Sequence, residues 1–538
     1  MTKKQENHIY DHIVIGSGFG GSVSAMRLSE KGYDVLVLEM GKRWKAKDFP
    51  KTTWNVRKFL WVPQLKMFGI QRINFLNRIM VLGGAGVGGG SLVYANTHMF
   101  PPDEFFNNPA WSGFRDWKAA LTPFYEKARF MLGSSKYEKE DAEDLVLKEI
   151  AKDMNRSETY GMVDHVGVYI GDPKVEKDPY FNGLGPVRKG CIECAGCMVG
   201  CQHNAKNTLD KNYLWFAEKW GTKVEAETKV TKVDFADGIY TVHTESSTSW
   251  FGTNKRVFKS RGIVFSAGVL GTMKLLFQQK QEFGTLPNLS EKLGENLRTN
   301  SESLCGIAGI EEKMNHGLAI SRVFEPNDST HIELVKYSNG SGMMGLLSVI
   351  AAGDGHPIVR TLKMLWNFIT SPIKVFNALR RDFGSHSIIL LVMQSLDNAL
   401  KMKWKKGLFG GSLTVENGED SRVPAYIEVG QDVMHRYAEK TNGVALNATS
   451  EVLFNMSSTA HILGGCPMGK TKEDGVVDEQ FKVHGYPNMW VLDGSIIPCN
   501  LGVNPSLTIT ALSEYAMSLI PEKEGNTRPT LEKQMETV

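Results

Sequence analysis

The chain opens with a continuous apolar run, His12-Ile13-Val14-Ile15, that breaks at Gly16. Ser22 to Lys31 then reads as a helix with Val23, Met26 and Leu28 on its inner side, closed by Gly32, and a second run, Val35-Leu36-Val37-Leu38, ends at Glu39. Short apolar runs without alternation suit strands covered on both faces of a parallel sheet. Ile263-Val264-Phe265 and Trp490-Val491-Leu492 have the same character. Residues 303–450 differ in texture, alternating short β-like pieces such as Ile332–Val335 and Ile388–Val392 with turns. From Pro521 the chain is polar, and a mobile tail is expected over 521–538.

Gly16-Ser17-Gly18-Phe19-Gly20-Gly21 fits G-x-G-x-x-G between the first strand and the helix. Gly16 allows the tight turn, Gly18 lets backbone approach a pyrophosphate, and Gly21 lets the helix lie close on the sheet. Glu39, an acid ending the second strand, suits ribose hydroxyls. The pattern implies a dinucleotide, NAD or FAD. A second run, residues 83–90, holds six glycines in eight positions and is followed by Ser91. Such backbone can wrap an anion or a flat ring, and its apolar flanks argue against a flexible linker. Near the end, Asn504 reads as a helix N-cap and Pro505 as the first helical residue of an amphipathic helix reaching about Leu519.

Together these segments resemble the glucose–methanol–choline (GMC) flavoprotein oxidoreductases, in their cholesterol-oxidase-like branch. The matching pieces are GSGFGG at 16–21, VLVLEMGKRW at 35–44, GAGVGGGSLVYAN at 84–96, FSAGVLGT at 265–272, LGENLRTNSE at 293–302, HILGGCPMG at 461–469 and VLDGSIIPCNLGVNPSLTITAL at 491–512. The resemblance implies an α/β fold. A Rossmann-like FAD-binding domain would be built from discontinuous segments, 1–302 with excursions at about 45–80 and 101–190, resumed at 451–520. A substrate-binding domain with an antiparallel sheet would occupy 303–450. FAD would be held by Gly16, Gly18, Gly21, Glu39, Gly86, Gly89, Ser91, Asn96, Val230, Asp493 and Gly494. Tyr94 stands where relatives often carry Asn, so the flavin contact is assigned to Asn96.

The resemblance also implies that His461 and Asn504 lie beside the flavin. A histidine can take a hydroxyl proton, and an amide can orient that hydroxyl by hydrogen bonding. Glu333 falls near the acid that shifts a steroid double bond in such enzymes, although its local pattern reads as an exposed strand residue. The substrate implied is a bulky apolar alcohol, a 3β-hydroxysterol first, with oxygen or an electron-acceptor protein taking the electrons. A dehydrogenase of another lipid, terpene or sugar alcohol is the alternative, and an inactive flavin-binding membrane-interaction protein is the non-enzymatic one.

Cys191, Cys194, Cys197 and Cys201 complicate this picture. Their C-x2-C-x2-C-x3-C spacing is that of bacterial ferredoxins and suits an iron–sulfur cluster, with zinc, structural thiols or local disulfides as the other readings. The cluster would serve the dehydrogenase alternative. The N-terminus carries no secretory-type apolar stretch, so a reducing, cytoplasmic compartment is expected. Lys+Arg 62 against Asp+Glu 59 leaves a net charge of +3, too small for a general nucleic-acid binder. Two local stretches are basic and aromatic: Lys42 to Arg78, and Pro357 to Arg381 with Arg360, Lys363, Lys374, Arg380 and Arg381 among Leu362, Leu365 and Trp366. They suit either peripheral membrane contact or a lid whose Lys and Arg reach out to water.

Overall fold

The computed structural model describes residues 8–538 except 251, 371, 373–375, 377, 379, 408–409 and 418–422, so Lys374 lies outside the described residues. The apolar runs become the strands Ile9–Ile15 and Val35–Leu38, and the helix Phe19–Glu30 crosses between them. All three elements are almost wholly buried, as the lack of alternation requires. Lys223–Glu225, Val35–Leu38, Ile9–Ile15 and Arg256–Phe265 lie side by side as parallel neighbours. An antiparallel hairpin, Thr228–Ala236 with Ile239–Ser246, extends the sheet along the first half of Arg256–Phe265. Along its second half pairs Met489–Val491, a strand from near the other end of the chain.

A second seven-stranded sheet is antiparallel throughout. Its strands run Ser348–Ile350, Val444–Ala448, Ser303–Ala308, Ser387–Gln394, Thr330–Val335, Ile320–Asn327 and Gly161–Met162. The last of these comes from the early excursion, and the helix Ala142–Asp153 supplies Leu147, Ile150 and Ala151 to this sheet's core. Residues 101–190 therefore serve both units.

The helix near the C-terminus spans Ser506–Ser518 with Pro505 as its N-cap, one residue later than the pattern predicts. It is buried nearly all round rather than amphipathic, because Phe19–Glu30 and Trp117–Met131 cover it from both sides. Asn504 is free of capping duty, its amide being engaged elsewhere. Buried Arg27 reaches from the first helix to Glu514 in a bidentate pair, Nε–Oε2 2.8 Å and Nη2–Oε1 2.9 Å, and Tyr213 donates to the same carboxylate.

The expected mobile tail is instead tied down. Leu531 is buried and its N–H donates to Glu30 Oε1 at 2.7 Å, Lys523 N–H donates to Lys31 O at 2.9 Å, and Leu531–Glu536 is helical. Polar composition concealed a segment whose hydrogen bonds go to the first helix. Among the described residues no helix is long and apolar enough to cross a membrane.

Candidate active site

Four side chains from distant parts of the chain meet where the two sheets adjoin. His461 follows the strand Ser457–Thr459, and its N–H donates to Thr459 Oγ1 at 2.8 Å, fixing the local turn. Its Nδ1 pairs with Glu302, a fully buried carboxylate whose other oxygen accepts from Ala460 N–H at 2.7 Å. With Nδ1 committed to that acid, Nε2 is the ring's open acceptor. It faces Asn504 Nδ2 at 3.4 Å, and the same amide nitrogen donates to Glu333 Oε2 at 3.1 Å. Burial alone would lower the His461 pKa; Glu302, with a smaller push from Glu333, raises it above the ordinary value.

Glu333 is 0% exposed, contrary to its reading as a surface strand residue. The strand Thr330–Val335 is buried on both faces, so the alternation that suggested solvent on one side instead sets apart a packing face and a polar one. Asn504 Oδ1 is buried and has no hydrogen-bond partner, leaving it available to a bound hydroxyl.

The glycine motifs converge at the edge of the parallel sheet. Gly16 has φ +94°, and a Cβ there would lie 2.3 Å from Ser266 O; a Cβ at Gly21 would lie 2.1 Å from Gly16 O. Both are therefore steric necessities of the turn and of helix-on-strand contact. Gly89 touches the fingerprint itself, its would-be Cβ being 2.6 Å from Gly18 Cα. Gly86 approaches Lys42 O and Leu92, while Ser91 Oγ donates to Gly88 O at 2.7 Å and accepts from Leu209 N–H at 3.1 Å. Asp493 caps Ser495 and accepts from Thr272 Oγ1 at 2.5 Å, and Gly494 beside it lies close to Val269. Val230 sits in the hairpin opposite Thr244, two residues beyond the Thr228 N–H that donates to Glu39 O.

The GMC oxidoreductase profile matches residues 415–513, and that of an NAD(P)-binding Rossmann-like domain matches residues 14–44. A cholesterol oxidase of Acinetobacter baumannii is 42% identical across 99% of this chain and 97% of its own length. The chain belongs to the GMC oxidoreductase family. Within that family it stands in the cholesterol-oxidase-like branch, since a cholesterol oxidase of Mycobacterium tuberculosis is also 43% identical over 97% of this chain and 93% of the relative. A long-chain-alcohol oxidase of Arabidopsis thaliana is 24% identical over 96% of the chain and 68% of its own length. The solved pyridoxine 4-oxidase from Mesorbium loti shares the fold, with a TM-score of 0.59 and 15% identity over 95% of this chain and 99% of that one. The protein is an FAD-dependent alcohol oxidoreductase.

The residues of this GMC protein fit FAD. A Cβ at Gly18, the helix N-cap, would meet no protein atom within 4 Å, which leaves that flank clear for phosphate. Asn96 is fully buried at φ +64° and neither atom of its amide has a hydrogen-bond partner, whereas Tyr94 stacks on His98 and lies under Lys206. The unpartnered Asn96 amide leaves two polar atoms free for a ligand. Glu39 is buried and accepts from Gly41 N–H at 2.7 Å, Ser17 N–H at 3.1 Å and Ser17 Oγ at 2.8 Å. It thus shapes the glycine turn itself. Glu39→Ala should weaken FAD retention by about 1.5–3 kcal/mol per charge-assisted bond lost. Flavin content after gel filtration checks this, and full retention would remove Glu39 from the cofactor site.

The four-cysteine expectation is corrected. Among the described residues no group of three or more His, Cys, Asp or Glu side chains could hold a metal. Glu193, Ala195 and Gly200, one between each successive pair of these cysteines, take left-handed backbone. The four thiols instead line a cavity of about 520 Å³, and all seven cysteines are free, so local disulfides are excluded as well. Burial pushes the Cys197 thiol up to about 12. Neither iron–sulfur nor zinc is carried forward.

Sequence reasoning did not assign Glu302, although it ends one of the matching segments. It lies 159 positions from His461, and no spacing rule joins them.

Proposed function

We propose that this enzyme oxidises the 3β-hydroxyl of a sterol and then, through Glu333, moves the ring double bond into conjugation with the new ketone. The observation that carries the reading is a buried carboxylate hydrogen-bonded to the amide that faces His461 Nε2. The relatives at 42% and 43% identity described above are named cholesterol oxidases. When bound, FAD supplies the acceptor for the hydride leaving the alcohol carbon. His461 Nε2 takes the hydroxyl proton, and Glu302 steadies the imidazolium that results. Asn504 orients the hydroxyl, and the start of the helix Ser506–Ser518 favours negative charge close by. Glu333 as carboxylate removes a proton from the carbon between ketone and alkene, and as acid returns it to the far alkene carbon. The electron pair of the broken C–H bond becomes the new alkene.

The direct test offers a 3β-hydroxysterol, a long-chain primary alcohol and a sugar alcohol under anaerobic conditions, recording flavin bleaching and conjugated enone. Bleaching with enone from the sterol supports the reading. Bleaching by the long-chain alcohol alone, with no enone from any substrate, would replace it.

The apolar surface favours collection of the substrate from lipid. On the helix Pro357–Thr370, Ile358, Leu362, Leu365, Trp366 and Ile369 are all exposed, with Lys363 on the same helix. Arg360, expected on the basic face, is instead turned inward and pairs with buried Glu451 at 2.5 Å, which pins the helix and leaves the apolar side outward. In the earlier basic stretch Phe49, Phe59 and Phe68 are buried, while Trp54 and Phe75 are exposed. Full burial of a Leu or a similar side chain is worth about 1.5–3 kcal/mol. Leu362→Ser with Trp366→Ser should therefore weaken partition onto sterol-bearing anionic vesicles by at least about tenfold, leaving turnover of detergent-dispersed sterol unchanged. Equal turnover from vesicles would sink the membrane role.

A further inference from the structure

Beyond Glu333 the polar chain continues. Glu333 Oε1 is buried without a hydrogen bond, and 3.6 Å away lies His331 Nε2, two residues earlier on the same strand and on the same face. His331 is itself 6% exposed, and neither of its ring nitrogens has a hydrogen-bond partner. Its Nδ1 is 3.5 Å from Glu325 Oε1, on the neighbouring strand Ile320–Asn327. The register that sets Val323 opposite Glu333 and Phe324 opposite Ile332 brings Glu325 alongside His331. The Glu325 side chain is 50% exposed, so the row ends in water.

We propose that His331 and Glu325 form a proton path joining Glu333 to bulk water. The proposal rests on Glu333 being the base of the isomerising step. A wholly buried carboxylate that has taken a carbon-bound proton can otherwise only return it to the same substrate. With the path closed up by small rotations, the His331 cation first passes its Nδ1 proton to Glu325 and on to water; a ring flip then turns the bare nitrogen to Glu333–H, which gives up its proton to it and restores the cation. The reverse sequence reloads Glu333, so protons balance at every stage and no oxidant or reductant is needed. Apo hydrogen bonds of this kind are often long and tighten with substrate.

The charges around His331 suit a conductor. Burial would lower its pKa, but Glu325 and Glu333, one at each ring nitrogen, together raise it to about 9. At neutral pH the ring is therefore a cation, which holds the Glu325 carboxylate below its usual range. The other charges along the row are Arg156 and Asp328 beside Glu325, and His461 with Glu302 beyond Asn504. His331 touches neither His461 nor Asn504 by any hydrogen bond, which makes it a positioning and relay residue rather than a catalytic one.

The test supplies a steroid 5-en-3-one directly to the holoenzyme in D2O, bypassing oxidation, and reads deuterium in the enone by mass spectrometry. Wild type should incorporate solvent deuterium and show an isomerisation rate that falls as pH rises through about 9, where His331 loses its proton. His331→Gln and Glu325→Gln should each reduce the incorporation severalfold. His331→Gln should also abolish the alkaline limb and slow the step by less than the roughly 10²–10⁴-fold that losing the base itself brings. Bound-flavin absorbance certifies that each variant is folded, and the exposed Glu325 variant serves if the His331 variant is not. Enone formed by all three proteins with the same deuterium content and pH profile would overturn the path and leave Glu333 standing as base. Absence of enone from wild type would overturn both.

Discussion

His461→Ala should bind FAD as the parent does and yet be reduced by substrate roughly 10²–10⁴-fold more slowly. The size follows from the absence of a substitute. Of the two neighbouring carboxylates, Glu302 is fully buried behind the ring and tied to Ala460 N–H, and Glu333 is held on the far side of Asn504 by its Nδ2. Asn504 can orient a hydroxyl without removing its proton. Stopped-flow bleaching under anaerobic conditions separates this step from reoxidation. The pH dependence has a definite sign. His461 acts as a base only when neutral, so reduction should accelerate as pH rises through its pKa, which Glu302 holds above the ordinary value. Glu302→Gln removes that push, so the rising limb should move to lower pH while the plateau rate falls with the weaker base. A limb that stays in place would disconnect Glu302 from the reaction.

The second large effect separates the two halves of the chemistry. Glu333→Gln retains an oxygen to accept from Asn504 Nδ2, so oxidation should persist at a rate close to that of the parent. Isomerisation should fall by roughly 10²–10⁴-fold, because an amide cannot take the carbon-bound proton. The unconjugated ketone should then accumulate, as chromatography of the products would report. Equal losses in both steps would make Glu333 a support for Asn504 and not a base.

Local motifs were legible because their physics is local. Gly16, Gly18 and Gly21 answer to a turn, a clear flank and a close approach within six residues, and each is seen in the structure doing that work. Parallel strands announced themselves by unbroken apolar runs. The errors share a different cause, since each concerns what covers a surface. Glu333 lies on an alternating strand, and only the second layer converts its polar face from solvent to site. Asn504 looked like a cap because caps depend on near neighbours, whereas its partners come from residues 333 and 461. Cysteine spacing resembled a cluster, but spacing does not fix side-chain placement, and among the described residues the four thiols line a cavity without forming a metal-holding group. Glu302 was invisible as a partner for the same reason that it is effective, since the fold alone joins it to His461.

The strand Met489–Val491, lying against the second half of Arg256–Phe265, has a consequence for biosynthesis. A nascent chain can assemble the glycine turn, the crossover helix and their neighbouring strands long before translation ends. The sheet nevertheless stays unzipped at Ile263–Phe265 until residues 489–491 have emerged, and Arg27 lacks Glu514 for longer still. Closing so long a loop is entropically slow, and the exposed strand edge is open to wrong partners meanwhile. A chain cut before residue 489 would lack both the strand that pairs Ile263–Phe265 and Asn504, so FAD should be captured only after residues 489–504 have joined the fold. Such fragments should be cleaved by protease faster than the full chain and should retain no flavin.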